Sequence, residues 1–498
     1  MANTLRLNTL MSLALQLTTV ICGFIVPWLI LQNYGSDVNG VVSSINQFLQ
    51  VIALLELGVG AVIQTAFYKP LAYKNNESVS AIYKSGSKFF RKIALILAVY
   101  VLVLIVIYPL MVANSFDNLY TITLIAAMSI SYFAQYYFGI LDRLLLVADQ
   151  RGYVQYAAQI ITLLLNTVAC AVFIYLGASI QIVKLVTSLL FLLRPFVLHV
   201  YVKRHYEIDN SVIYEKEPIE QKWNGVAQHL SSLVIDYSSI IILTVLSTLS
   251  NVSIFAVYNL IVFGLRQLIV SLTEGMRAYM GELWATGSID SLTEKFASYE
   301  WSLHTVSTGA FSCAFALAIP FVEVYTSGVV DVNYNQPVFS ALFILSGLLY
   351  CYRLPYNTLV LIAGRYKQTQ WSYIVAALVS LFVSAICVFL IGLPGVCIGL
   401  IISMLFQLGY LIRYQRMYIL GWPLKKVMRQ FGVDTVTIAA FICTAMFVNS
   451  AIPFSIDSFV IWALLAFVDV LIWLVIALIV NGVFYSSNMK SLLHFGNK

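Results

Sequence analysis

The chain has 498 residues, of which 61% are hydrophobic and only 10% charged, with a formal net charge of +6. Soluble domains carry about 25% charged residues, so this composition excludes an ordinary water-soluble globule. The basic excess reads as the inner-leaflet bias of a membrane protein, not as nucleic-acid binding.

Apolar stretches of about 20 residues can cross about 30 Å of hydrocarbon. Fourteen are predicted here, centred near residues 20, 54, 103, 134, 165, 192, 237, 265, 311, 351, 381, 407, 442 and 470. The fold class expected is therefore an all-α polytopic membrane protein. Met1–Leu10 carries a single charge, Arg6, and the apolar run from Leu10 to Leu31 has full span length without a small-residue cleavage site. It is expected to be the first span, not a removable leader. Segments 32–40, 113–119, 177–181, 249–253, 323–338, 391–395 and 450–458 contain no Lys or Arg, whereas 68–92, 148–153, 203–222, 278–300, 363–370 and 413–432 hold most of it. Positive residues in every second short loop orient a membrane protein. Both termini are expected on the cytoplasmic side, in a cell membrane crossed many times.

The loop over 68–92 contains Lys69, Lys74, Lys84, Lys88, Arg91 and Lys92. It is expected to lie against anionic headgroups, so membrane lipids are partners. Asp142 and Arg143 fall near a helix end, where local ion pairing is cheap. From Leu146, the run LVADQRGYVQYAAQIITLLLNTVACAVFIYLG has a counterpart from Leu361, LIAGRYKQTQWSYIVAALVSLFVSAICVFLIG. At that offset Ala148 meets Ala363, Gln155 meets Gln370 and Gly177 meets Gly392. Halves of six spans enter the membrane in the same direction, a parallel repeat known in transporters. The organisation expected is an N-terminal lobe at 1–203, a cytoplasmic linker at 204–222, a C-terminal lobe at 223–420, and two extra helices with a tail at 421–498. The linker is the most polar stretch of the chain and too short for a domain. No G-x-x-x-x-G-K-[ST] loop is present, and no segment can house a soluble catalytic domain. The protein is expected not to be an enzyme and to carry no cofactor. The seven cysteines fall within spans without metal-ligand spacing, so no metal site is expected.

Charges at mid-membrane cost about 2.5–3.5 kcal/mol each on insertion scales and usually face a cavity or a partner. Arg194 (beside Pro195), Arg266 and Arg353 (two residues before Pro355) fall near span centres, as do Glu56, Asp236 and Asp469. Arginine suits phosphate because its planar fork binds oxygen pairs and stays charged when desolvated. The three arginines are candidate substrate ligands, and Glu56 and Asp236 candidate ion-coupling groups. The blander alternative is that these charges pair to hold helices together. Asp469 lies outside the repeat and reads as structural. His229 and His304, single histidines near helix ends, read first as satisfied helix residues and second as proton relays.

Residues 34–74, YGSDVNGVVSSINQFLQVIALLELGVGAVIQTAFYKPLAYK, resemble the early region of bacterial polysaccharide-biosynthesis flippases. There a Y-G turn leads to a helix ending L-G-x-G, filled here by Leu57-Gly58-Val59-Gly60, and then to a Y-K…L-A segment, filled by Tyr68-Lys69-Pro70-Leu71-Ala72. Asp236, Ile240, Ile241, Val257, Tyr258 and Asn259 fit the pattern around that family's seventh span. The resemblance implies the Wzx-like branch of the multidrug/oligosaccharidyl-lipid/polysaccharide (MOP) exporter superfamily. It further implies two six-helix lobes plus two helices, alternating access, and an undecaprenyl-pyrophosphate-linked oligosaccharide as cargo. Without an ATP site, a coupling ion, H+ or Na+, or the membrane potential would supply energy, and a polysaccharide polymerase is an expected partner. The lipid II flippase branch carries cationic residues in its first span, and this chain has none there. The alternatives are a cation-coupled multidrug antiporter of the same superfamily and a major-facilitator transporter. The latter's G-x-x-x-D-R-x-G-R-[KR] signature is absent from Tyr68–Lys92.

Overall fold

The computed structural model describes residues 2–53, 59–209, 211–212, 226–450 and 456–486. These residues are helical almost throughout, with no strand among them. Among the described residues twelve helices are long and apolar enough to cross a membrane. One of them, Arg6–Gln50, is broken and counts as two, and Leu230–Leu246 is a shorter apolar helix. Together they make the fourteen passes read from hydropathy.

The elements in chain order are α1 (Ala2–Gln50), α2 (Val59–Ala72), α3 (Asn76–Met111), α4 (Asn118–Ala134), a π-helical turn (Gln135–Gly139), α5 (Ile140–Ala148), α6 (Gly152–Tyr175), α7 (Ile180–Leu190), α8 (Leu193–His205) and α9 (Val226–Leu246). They continue with α10 (Leu249–Ala285), α11 (Ile289–Tyr325), α12 (Pro337–Ile362), α13 (Tyr366–Ile391), α14 (Gly395–Tyr418), α15 (Leu424–Ser450) and α16 (Phe459–Phe484). The break in α1 is at Gly35, with φ 83° and ψ −179°. That region is open to glycine and closed to side chains with a Cβ, so the reversal between the first two passes falls there. Some helix starts are capped by side chains: Asn75 accepts from the Ser78 amide at 2.9 Å and Ser458 from the Ile461 amide at 3.3 Å.

The chain divides into two compact units, Met1–Ser253 and Ile254–Lys498. Packing, unlike sequence repetition, groups α9 with the first unit. There Ser44 of α1 is 2.7 Å from the Thr244 hydroxyl, and Asn39 donates to Ser253 at 2.7 Å. Residues 213–222 of the expected linker lie outside the described residues. Helix α3 shows why a membrane is required. Leu97, Val101, Leu104 and Tyr108 are buried in the core, while Leu95, Leu102, Val106 and Leu110 on the other side are 64–71% exposed. A helix apolar all round belongs in lipid. At its end α1 is closed by Tyr100 of α3, whose hydroxyl donates to the Phe48 carbonyl at 2.9 Å.

In the second unit α15 and α16 dock on α11. Cys313 and Leu317 of α11 pack with Phe441, Ala445 and Leu465, and the indoles of Trp301 and Trp462 donate to Asn481 Oδ1 (2.7 Å) and the Leu317 carbonyl (3.1 Å).

Candidate functional site

In the first unit, α4 does not run straight into α5. The Ile140 amide reaches back five residues to the Gln135 carbonyl, so one extra residue is wound into the turn. Such π turns cluster at functional sites. Gly139 closes the bulge against Pro195: a Cβ on Gly139 would fall 2.8 Å from the Pro195 Cβ, too close for any larger residue. On the facing chain, α7 stops at Leu190 and α8 starts at Leu193. Pro195 in the first turn of α8 lacks an N–H, which fits a helix that begins anew at this depth.

These two interruptions border a cavity of about 250 Å³. Asn46 of α1, Ser131 and Tyr132 of α4, Gln135 of the π turn, Arg143 of α5 and Arg194 of α8 supply its polar lining. Tyr132 donates to Asn46 Oδ1 at 2.6 Å, which fixes both groups. Among the described residues no acid lines the cavity, and the charges of Arg143 and Arg194 are near enough to act on one another. Asp142, adjacent in sequence, does not neutralise Arg143. It is fully buried and accepts from the Tyr83 hydroxyl at 2.5 Å, with His199 Nδ1 3.2 Å away. Consecutive residues on a helix point about 100° apart, so the local pairing expected from sequence is replaced by separate roles. The cavity carries two cations and suits a small anion with several oxygens.

In the second unit, Arg266 and Arg353 share one aromatic ring. Their guanidinium carbons lie 3.7 Å and 4.7 Å from the centroid of Tyr350. Arg353 is 5% exposed and donates through a terminal nitrogen to Gln407 Oε1, linking α12 to α14. Its Nε has no hydrogen-bond partner among the described residues.

The structure therefore puts Arg194 on a cavity and brings Arg266 and Arg353 together on Tyr350. Asp236 is exposed on α9, and Glu56 lies outside the described residues. Asp469 is fully buried on α16. The sequence marks Arg143 only as a neighbour of Asp142, and does not single out Gln135, Tyr132 or Asn46. Their only signal is the aromatic-glycine run Gln135-Tyr136-Tyr137-Phe138-Gly139 just before Arg143, and nothing in its hydropathy marks a π turn.

No protein-family model and no curated protein sequence matches the chain. Solved structures do. A lipid II flippase MurJ in an inward closed conformation aligns with a TM-score of 0.67 at 12% identity, covering 97% of this chain and all of that one. An inward-facing multidrug resistance MATE family transporter of the MOP superfamily aligns with a TM-score of 0.66 at 13% identity, covering 81% and 94%. A eukaryotic MATE transporter aligns with a TM-score of 0.59 at 13% identity, covering 82% and 96%. At such identities the likeness is one of fold, and the chain is a multi-pass membrane protein built on the helical fold of these transporters.

Proposed function

We propose that the chain is a flippase moving an undecaprenyl-pyrophosphate-linked oligosaccharide repeat unit from the cytoplasmic to the outer leaflet of a bacterial cytoplasmic membrane, for surface polysaccharide assembly. The observation that carries the reading is the cavity lined by Arg143 and Arg194, with no acid among its described lining residues. Ligand pockets for drug-sized molecules span about 300–1,000 Å³. At about 250 Å³ the cavity accommodates a pyrophosphate and not a whole glycan, so it is a headgroup site. The isoprenoid tail would stay in lipid. Arg266 and Arg353 on Tyr350 are the proposed second contact, for anionic groups elsewhere on the cargo. The charge alternation of the loops supports a cytoplasmic position for both termini, and a polymerase would take up the product.

The alternative, a drug antiporter, is favoured by the fold likeness to MATE transporters. A cationic drug needs an acidic site to attract it, and this cavity has the opposite sign. Deleting the gene distinguishes the two. The flippase reading expects lipid-linked oligosaccharide trapped in the inner leaflet, no surface polymer and unchanged sensitivity to cationic dyes. Intact surface polymer with dye hypersensitivity would favour the antiporter.

A further inference from the structure

The second unit holds a polar cluster that the headgroup site does not use. Helix α11 contributes Glu300 and His304, one turn apart, and α15 contributes Gln430 and Asp434. His304 is 0% exposed, and Glu300 and Asp434 are each 4%. His304 Nδ1 is 2.6 Å from Asp434 Oδ2, and Gln430 donates to Asp434 Oδ1 at 2.9 Å. Tyr356 of α12 donates to Glu300 Oε1 at 2.5 Å, and the Trp422 indole to Oε2 at 3.0 Å. All four carboxylate oxygens are thus occupied. The position left over is His304 Nε2, buried and without a hydrogen-bond partner among the described residues.

We infer that His304, Asp434 and Glu300 form a proton-binding site in the second unit, with His304 Nε2 as the position that gains and loses the proton. The inference rests on the transporter reading and gives it a coupling ion. With the ring neutral, the two ionised carboxylates would leave the cluster with a charge of minus two inside a span. Uncompensated buried charge is costly, and neither carboxylate has a Lys or Arg hydrogen-bonded to it among the described residues. A proton entering at Nε2 makes the ring an imidazolium, pairs it with Asp434 and lowers the net charge to minus one. Sodium fits less well, because it needs free oxygen ligands and every carboxylate oxygen already accepts a hydrogen bond. Among the described residues no group of three His, Cys, Asp or Glu could hold a metal ion.

The neighbours explain how a proton would be felt. The His304 ring stacks on Tyr352 of α12 at 4.4 Å and 9°, and Phe431 of α15 stands edge-on to both rings. Tyr352 in turn is 2.8 Å from the Thr308 hydroxyl. Tyr485, after α16, interacts electrostatically with Glu300 and Asp434 and carries the Arg429 guanidinium over its ring at 4.9 Å, and Lys426 Nζ lies 4.3 Å from the centroid of Trp422, so the cations beside the cluster sit on aromatic rings and not on its carboxylates. A cationic ring is held more strongly on an aromatic face than a neutral one, so protonation tightens α11, α12 and α15 together. Helix α12 also carries Tyr350, two residues before Tyr352, Arg353, next after it, and Pro355. The proton site and the arginine pair therefore hang on one proline-containing helix.

The test uses the full chain in lipid nanodiscs with ¹⁵N-labelled histidine. His199, His205, His229 and His494 are replaced by Gln, so that the remaining ring signal is His304 without any change at the site. Spectra are recorded between about pH 8 and about pH 5; the ring is expected to change protonation state within that range, and Asp434→Asn to alter that change. A ring that stays in one state across the range, or a transition that Asp434→Asn leaves in place, overturns the proton site. In vesicles bearing a short-chain isoprenyl pyrophosphate, an imposed pH gradient is expected to raise flipping by the wild type and not by His304→Gln. Equal acceleration of both overturns the coupling. The titration needs no cargo, so it stands or falls separately from the polysaccharide reading, which gene deletion tests.

Discussion

Replacing Arg194 by Gln removes one of the two charges on the first-unit cavity and leaves its shape nearly intact. Charge-assisted hydrogen bonds are worth about 1.5–3 kcal/mol. Arg194 is half-buried, so solvent screens part of its charge and the lower half of that range applies, about 2 kcal/mol. That converts to about a 30-fold loss of affinity. Arg194→Lys keeps a charge but loses the two-pronged geometry, so roughly half the effect is expected, about 5-fold. The assay is binding of a short-chain isoprenyl pyrophosphate to the purified protein in nanodiscs, measured by calorimetry at low and high salt. Arg143→Gln is expected to weaken binding comparably, because the cavity gives both arginines the same role. Affinity that changes less than about 2-fold in both variants, with the proteins folded, would refute the assignment of this cavity to an anionic headgroup.

Gly139→Val should lower thermal stability by about 1–3 kcal/mol through overpacking against Pro195 and abolish surface polymer; full stability with full export would show that the bulge tolerates a side chain. Removing one partner of the buried Arg353–Gln407 link should cost about 1–3 kcal/mol through the unsatisfied group left behind. Arg353→Met together with Gln407→Leu should cost less than the sum of the single changes, and additive melting shifts would argue against the link. Cysteines introduced in a cysteine-free background at Asp37, Asn118 and Asn333 should be labelled from outside the cell, and those at Asn75, Ser211 and Gln368 should not; labelling of both sets from one side would overturn the topology.

Membrane character, pass number and the alternation of charge were legible in the chain because they depend on runs of residue type, and lipid enforces those runs whatever the packing. Gly35 could be placed in a reversal for the same reason: a loop without basic residues falls between two apolar stretches. The six mid-membrane charges were likewise visible one by one, since each stands out against an apolar background. Which of them share a site was not visible. Arg266 and Arg353 are 87 positions apart and meet only because α10 and α12 bring them to the ring of Tyr350. Arg143 was read as half of a local pair with Asp142, and tertiary structure separates them by giving Asp142 to Tyr83 and His199. The π turn at Gln135–Gly139 leaves the composition of its helix unchanged, so hydropathy passes over it. His304 looked like an ordinary helix residue until packing buried it against Asp434, 130 residues away. Sequence by itself determined what the membrane requires of each segment, because the bilayer acts on every span separately. Only the tertiary structure decided which polar groups meet, because inside the bundle a buried charge is satisfied by whichever helix packing brings beside it.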